Sequence, residues 1–597
     1  MLNARLYRVA LVPLALALAV AAFSLTGRPA PLTSTLAPDA FDGSSAYTTL
    51  QELAARFPER RPGSPGDEEL AAYVARSLEQ LGGAAGGGFS VHLTRSQGQT
   101  IEGERTLTTV TAERPGSTGA APIVILAHRD AAGRGAEAEL SGTAALLELA
   151  SLFATRETKR TIVLVSTSGG SGGDAGASAF LSGQHGPFDA AIVLGDLASE
   201  HARMPSVIPF SDGFGSAPLE LDRTVVGAIA STAGSDPGEP SILGALAHLA
   251  FPLALGEQGV LNGAGLPAVL VQVSGERGPA ANEPVSEERL EGYGRGVLSA
   301  VDAIDAAPDL SATMQTGLPL QRKVIPGWAI RLLTAALLLG PLLLAADGLA
   351  RLRRRRERIV RWMLWAGACG APFLLAILFA RVLALIGILR AAPSTPVLTS
   401  ALPLGAAGVS ELAAVLLVLV ASWLAWPVAM RRLGLAGRPD AEGAGLGMLL
   451  VLLAVAFLVW LVNPYAALLL LPALHLWLLL VSPQERPRPL AGLAIVGLAF
   501  APLALLIAFY ADQLGLGAGG VAWEGLLLFA GGHVGVPGAF LWSLALGCAS
   551  AAAMLCLQPA GARGGPGAED GAEITIRGPR TYAGPGSLGG TESALRR

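Results

Sequence analysis

The sequence predicts two unlike parts: an α/β domain over residues 30–320, its sheet covered by helices on both faces, and an α-helical transmembrane bundle after it. Three observations lead there. Hydrophobic residues make up 52% of the 597, and the mean hydropathy of +0.51 lies above that of a soluble protein. Beyond residue 320, apolar runs recur, each near the ~20 residues needed to cross a bilayer. Before it, short runs rich in Val and Ile alternate with amphipathic stretches.

Within the domain, residues 66–82 place Leu70, Val74, Leu78 and Leu81 at helical spacing. Asp67, Glu68 and Glu69 precede them, in the turn where a helix dipole favours negative charge. Further helices are expected at 141–155, 174–183 and 286–306, the last with Leu290, Tyr293, Val297, Val301 and Ile304 on one face. The runs 123–127, 161–165, 190–194 and 268–273 are nearly continuous in apolar residues, the pattern of parallel strands buried on both faces. A sheet between layers of helix follows. In such sheets ligands gather outside the carboxyl ends of the strands. His128 and Asp130, the loop Ser168-Gly-Gly-Ser-Gly-Gly, and Asp196 all stand at such ends, so one cleft is expected to collect them.

The first apolar run, residues 9–25, is either a signal peptide or an anchor. Ala-Ala-Phe-Ser-Leu-Thr-Gly is a poor cleavage site after so long a core, which favours an uncleaved anchor within residues 1–29. Runs at 326–346, 362–388, 409–429, 444–463, 465–482, 489–510 and 536–557 give residues 321–557 seven expected spans. Simple alternation then sets Arg5 and Arg8, the basic stretch 351–361, Arg431-Arg432, and Arg486 with Arg488 on one side. The positive-inside rule makes that side the cytoplasm and places residues 30–320 outside it. The Gly-rich tail, 558–597, reads as a disordered cytoplasmic extension. Arg331, Arg381 and Glu411 lie near span ends and are expected to snorkel. Lysine occurs only at 159 and 323 amid abundant Gly, Ala and Arg, the usage of a GC-rich bacterial genome, so the expected location is a plasma membrane.

Other readings fall away on composition and spacing. A net charge of −4 without a basic groove-forming stretch excludes nucleic acid as a partner and leaves the lipid bilayer. Cys369, Cys548 and Cys556 lie in apolar runs of the C-terminal half, so the domain has no thiol for a disulfide, a Cys-type zinc site or nucleophilic attack. Ser171 sits in a Gly-rich turn after a strand, yet glycines continue where a nucleophile elbow needs a helix. A phosphate loop would need a following Lys-Ser or Lys-Thr. His185 and His201 read as surface residues, and His475 and His533 go with the spans.

The motifs also carry a resemblance. Arg61-Pro-Gly-Ser, Ile123-Val-Ile-Leu-Ala-His-Arg-Asp130, Ser141-Gly-Thr-Ala-Ala-Leu-Leu-Glu-Leu-Ala150, Gly176-Ala-Ser-Ala-Phe180, Ala191-Ile-Val-Leu-Gly-Asp196 and Gly265-Leu-Pro-Ala-Val-Leu270 follow one another as in metallopeptidase family 28. This is the group of zinc aminopeptidases and glutamate carboxypeptidase relatives. The resemblance implies a mixed sheet and two zinc ions, bound by a His, a bridging Asp, a Glu, a second Asp and a second His, with another Glu as general base. His128 matches the first His, Asp130 the carboxylate that orients it, and Asp196 the second Asp.

Elsewhere the pattern breaks. In Gly135-Ala-Glu-Ala-Glu-Leu-Ser-Gly142, Ala138 stands for the bridging Asp, Gly170 and Ser171 replace the Glu-Glu pair, and no His occurs between His248 and His475. Two ligands are too few for zinc. Glu137 or Glu139 could add a third at one weak residual zinc site, and a shifted register could bring in Asp174; otherwise no cofactor is expected. The reading is therefore a non-catalytic or altered-function member whose cleft binds a peptide, a lipid-linked substrate or a protein partner. An active membrane metallopeptidase with unusual ligands is the alternative. A transporter is a third class, although no span shows the interrupted pair or inverted repeat that would recommend it. The architecture is similar to endoplasmic-reticulum and vacuolar membrane metallopeptidases and to the peptidase-like subunit of the glycosylphosphatidylinositol transamidase.

Overall fold

The computed structural model describes residues 4–84, 88–183, 186, 188–307, 313–389, 393, 395–397, 401–434, 442–481 and 486–557. The tail 558–597 and His185 lie outside the described residues.

Seven strands form one mixed sheet: β1 (Ser90–Thr100), β2 (Gly103–Arg114), β3 (Ile123–His128), β4 (Ile162–Thr167), β5 (Ala190–Leu194), β6 (Val207–Ile208) and β7 (Ala268–Val271). Their spatial order is β1-β2-β4-β3-β5-β7-β6. The four apolar runs read as parallel strands are β3, β4, β5 and β7, and they pair in parallel at the centre. On one edge β1 and β2 make an antiparallel hairpin, and β6 closes the other edge antiparallel to β7. The larger core lies under the helices Gly43–Arg56, Glu137–Thr155, Leu219–Thr232 and Glu287–Ala306. The opposite face packs Val124, Leu126, Val163 and Val165 against Phe180 and Leu261 of the helices Ala175–Gly183 and Glu257–Gly263.

Six described helices are long and apolar enough to cross a membrane: Arg5–Phe23, Gly327–Arg354, Ile359–Leu385, Ala406–Arg432, Gly443–Val462 and Val536–Cys556. Pro489–Leu498 and Ala501–Gln513, bent by 48°, make a seventh if they count as one span. The bend has a local cause. The ring of Pro502 excludes the carbonyl four residues back, that of Leu498, where the first helix ends. The run 465–482 differs from a continuous span for the same reason: it forms Pro464–Leu468, Leu471–Leu476 and Leu478–Val481, with Pro472 acting on Leu468. It still runs the length of Gly443–Val462. Asn463 follows one end of that helix, and at the other a Cβ on Gly445 would lie 2.6 Å from the Val481 carbonyl oxygen.

One end of the bundle is tied to the α/β domain. Asn463 Nδ2 donates to the Leu249 carbonyl (2.7 Å), the Tyr465 hydroxyl to Thr316 (2.8 Å), the Tyr510 hydroxyl to Phe251 (2.7 Å) and His533 Nε2 to Pro252 (2.9 Å). A short apolar helix, Ala518–Gly531, belongs to this end and was not among the expected runs. Arg381 does not snorkel: its guanidinium donates to the carbonyls of Phe529 (3.1 Å) and Val534, because carbonyls past a helix's last turn lack partners of their own. Arg331 lies with its guanidinium 5.9 Å from the centroid of the Trp460 ring.

Candidate functional site

A cavity of about 320 Å³ opens at the carboxyl ends of the parallel strands. His128 from the end of β3, Gly170 and Ser171 from the loop after β4, Asp196 after β5 and Gln272 after β7 all line it, so the three features expected to share a cleft do share one. Glu139 and Glu257 complete the polar wall, and Pro396, Ala401 and Pro403 close it from the membrane half.

The Gly-rich loop is shaped around His128. A Cβ added at Gly170 would lie 2.4 Å from His128 Cβ, 2.7 Å from Cγ and 3.1 Å from Nδ1, so the backbone approaches the ring at a distance that only glycine permits. Asp130 pins the same loop from behind. Its carboxylate accepts from the N–H groups of Gly169 (2.8 Å), Gly170 (3.1 Å) and Ser171 (3.1 Å) and from the Ser171 hydroxyl. Its acceptor capacity goes to the loop, and among the described residues no hydrogen bond joins it to the His128 ring. Burial holds the His128 imidazole below its ordinary pKa, against the nearby Asp130 charge, which leaves the ring neutral at pH 7. The Ser171 hydroxyl likewise serves Asp130, so the hydrogen bonds do not run from Ser to His to Asp as nucleophilic catalysis would require.

Asp196 is also engaged by its own turn. One oxygen accepts from the N–H groups of Ala198 (3.0 Å) and Ser199 (2.9 Å), the other from the Ser199 hydroxyl. Burial raises its pKa while those bonds oppose the rise. Of the two glutamates expected as a third ligand, Glu139 reaches the cavity and Glu137 is exposed and does not line it. Glu139 Oε2 is buried with no hydrogen bond, and burial pushes the carboxyl up to about 8. Ala138, between them, is buried. Gln272, just after β7, lines the cavity with Nε2 donating to the Gly275 carbonyl at 2.6 Å; the second His that the resemblance sets after the run 268–273 has no counterpart, since no His occurs between His248 and His475. Among the described residues, no three His, Cys, Asp or Glu side chains are grouped so as to hold a metal ion.

Several residues of the site escaped the sequence reading. Glu257 begins its helix 1% exposed, neither carboxyl oxygen has a hydrogen bond of ordinary geometry, and burial lifts it to about 8 despite the neighbouring Thr167 hydroxyl. Asp174, the carboxylate that a shifted register could bring in, sits beside Glu257 in the left-handed region (φ 45°), buried, with neither oxygen in a hydrogen bond of ordinary geometry, and does not line the cavity. Burial, with Glu257 and Asp212 nearby, raises Asp174 well above the carboxylate range. Beneath the site two arginines are fully buried. Arg129 pairs with Asp67 (2.8 Å) and donates to the Ser166 and Thr108 carbonyls. Arg60 donates to the carbonyls of Arg129 (3.0 Å), Gly135 (2.7 Å) and Ala136 (2.7 Å), holding the left-handed turn that feeds Glu139 into the cavity. The only sequence signals were Arg129 standing between His128 and Asp130, and the Arg60-Arg61 pair before Pro-Gly-Ser.

Residues 109–234 match the family described as Peptidase family M28. None of the curated proteins matches the chain. Among solved structures, a glutaminyl cyclase of Porphyromonas gingivalis is similar at 17% identity over 44% of this chain and 98% of its own, with a TM-score of 0.33. LapB of Legionella pneumophila is similar at 14% identity over 48% of this chain and 79% of its own (TM-score 0.39). An aminopeptidase from Aneurinibacillus sp. strain AM-1 is similar at 14% identity over 48% of this chain and 98% of its own (TM-score 0.35). The protein thus carries an M28 peptidase-like domain joined to candidate membrane-spanning helices.

Proposed function

We propose that the domain is an extracytoplasmic binding module that no longer hydrolyses peptides by a two-zinc mechanism, and that its cavity takes an amine-bearing ligand such as a peptide N-terminus. The contact between Gly170 and His128 carries this reading. At Gly170, the first of the two positions where the resemblance sets a Glu-Glu pair, the backbone lies against the ring and leaves no room for a side chain, and at the second the Ser171 hydroxyl serves Asp130. Ala138 stands at a further ligand position, no His follows the run 268–273 before His475, and Asp196 spends its oxygens on its own turn. The residues present do not fit a metal pair, and two-metal hydrolysis also needs a carboxylate base within reach of the attacking water.

What the cavity offers instead is two buried carboxyls that keep their protons up to about pH 8 and that a neighbouring cation would draw into the ionised form. Glu139 Oε2 has no hydrogen bond, and the oxygens of Glu257 have none of ordinary geometry beside the Thr167 hydroxyl; buried polar groups in that state call for a partner. The cation at the rim, Arg61, is already paired with Glu102 at 2.9 Å. An ammonium group would supply the missing donors. The proposed orientation is supported by the chain path: the tied end of the bundle carries the domain, while the 351–361 arginines, Arg431 and Arg432 fall at helix ends away from it.

A second reading, a single weak zinc site of an unusual metallopeptidase, is favoured by one observation: Glu139 lines the same cavity as His128 and Asp196. One experiment separates the two. The purified full chain is incubated with zinc, and its metal content, dipeptide turnover and dipeptide binding are measured. The binding reading expects less than stoichiometric zinc, no turnover, and binding that N-acetylation of the dipeptide abolishes. Zinc-dependent turnover lost in His128→Ala would establish the enzyme instead.

A further inference from the structure

A second cavity, of about 400 Å³, lies inside the membrane half. Its walls are apolar: Phe373, Leu419, Leu506 and Trp542 come from four different spanning elements, Leu528 from the short helix Ala518–Gly531, and Leu253 from the α/β domain. One carboxyl group enters it. Glu524 is 6% exposed, and neither of its oxygens has a hydrogen bond of ordinary geometry, although the Val397 N–H approaches. A void of this size leaves its lining atoms without contacts on one side. Inside a bilayer the filler at hand is lipid hydrocarbon, as apolar as the leucines that face it.

The two cavities have no lining residue in common, but one chain segment borders both. In the segment 251–257, Phe251 and Leu253 face the apolar cavity, while Leu255, Gly256 and Glu257 face the carboxyl-lined one. On the other side the helix Ala518–Gly531 fastens the loop that closes the upper cavity, Trp523 Nε1 donating to the Leu402 carbonyl at 2.9 Å with Glu524 next to it. A ligand reaching both cavities would pass between the 251–257 segment and Glu524.

We propose that the apolar cavity holds the hydrocarbon chain of a lipid-linked ligand whose amine-bearing head occupies the carboxyl-lined cavity above; the identity of the head rests on the function proposed in the preceding section. Glu524 then accepts a hydrogen bond from a donor at the junction of chain and head.

Gly525 provides the test, because it lines the apolar cavity and a Cβ placed on it meets nothing within 4 Å. Gly525→Phe therefore fills the cavity without a clash at its root, and Gly525→Ala is the control. The full chain is reconstituted in phosphatidylcholine nanodiscs, and binding is measured for a tripeptide with a free N-terminus and for the same peptide carrying one palmitoyl chain on a C-terminal lysine. The palmitoylated peptide is expected to bind at least about tenfold more tightly, by the hydrocarbon it buries. Gly525→Phe should erase that advantage and leave the plain peptide unchanged, and Gly525→Ala should change neither. A gain that survives in Gly525→Phe is partition into the bilayer and overturns the proposal. Cross-linking of a diazirine-bearing phosphatidylcholine separates the remaining outcomes. If neither peptide binds but the lipid labels helix 518–531 in the native protein and not in Gly525→Phe, the chain site stands and the reading of the upper cavity fails. If the helix is not labelled, the chain site itself is refuted.

Discussion

Gly170→Ala is the smallest change that probes the closure of the peptidase-type site. The new Cβ would sit 2.4 Å from His128 Cβ and 2.7 Å from its Cγ, where carbon atoms prefer about 3.5–4.0 Å. Relief requires a movement of roughly 1 Å by two segments that resist it, the end of β3 and a loop held by three N–H bonds to Asp130. Gly170 has no left-handed φ, so the cost is steric rather than conformational. Overpacking of this kind costs about 1–3 kcal/mol, a loss of roughly 5- to 150-fold in the folding equilibrium. The nearest atom is the Cβ of residue 128, so His128→Ala should leave the penalty in place, whereas His128→Gly should reduce it below about 1 kcal/mol. Hydrogen exchange of the slowest amides of β3 and β4, in the full chain, reads these differences directly. An equal cost in the His128→Gly background, or none in the native one, would show that position 170 has room for a side chain, and the case against a catalytic glutamate there would collapse.

Three further outcomes are expected. Glu257 holds its proton more tightly in the folded chain, near 8, than at its ordinary 4.5; its contribution to stability is therefore full below 4.5, falls between 4.5 and about 8, and levels off above. Glu257→Gln should remove a slope of about 1.4 kcal/mol per pH unit from that window, read as the midpoint of pulse proteolysis in urea; an unchanged profile would place the titration elsewhere. Asp67→Ala strands the buried Arg129 and should cost about 3–5 kcal/mol by the same assay, with Asp67→Leu/Arg129→Met recovering part of it. Cysteines introduced at 353 and 356 should resist impermeant reagents on intact cells, while one at the exposed Arg134 should react; labelling at 353 from outside would reverse the proposed topology.

The central strands were legible because each is buried on both faces, which writes a continuous apolar run into the sequence. The hairpin β1–β2 was not, since β1 is largely exposed and β2 is rich in Thr, so no apolar run marks either. At the site, the rule that ligands gather at carboxyl ends of strands found His128, the Gly-rich loop and Asp196. It could not separate Glu137 from Glu139: two residues apart on a helix, they point about 200° apart, and only the fold decides which one meets the cavity. Glu257 was out of reach for a different reason. It follows β5 by a long excursion with no motif near it, and the turn of chain before β7 alone carries it back to the strand ends. The spacing of Pro464 and Pro472, read as turn signals inside an apolar run, would have indicated the broken path through 465–482.

Pro396, Ala401 and Pro403 have a consequence beyond closing a cavity. Because these residues are walls of the carboxyl-lined cavity and Trp523 holds the neighbouring Leu402 by its carbonyl, ligand choice is divided between the two halves of the chain. A water-soluble piece ending near residue 320 would keep the acidic groups and lose the floor. Selectivity measured on it would describe a shallower, more permissive receptor, and exchanging bundles between related proteins would carry part of the specificity along with them.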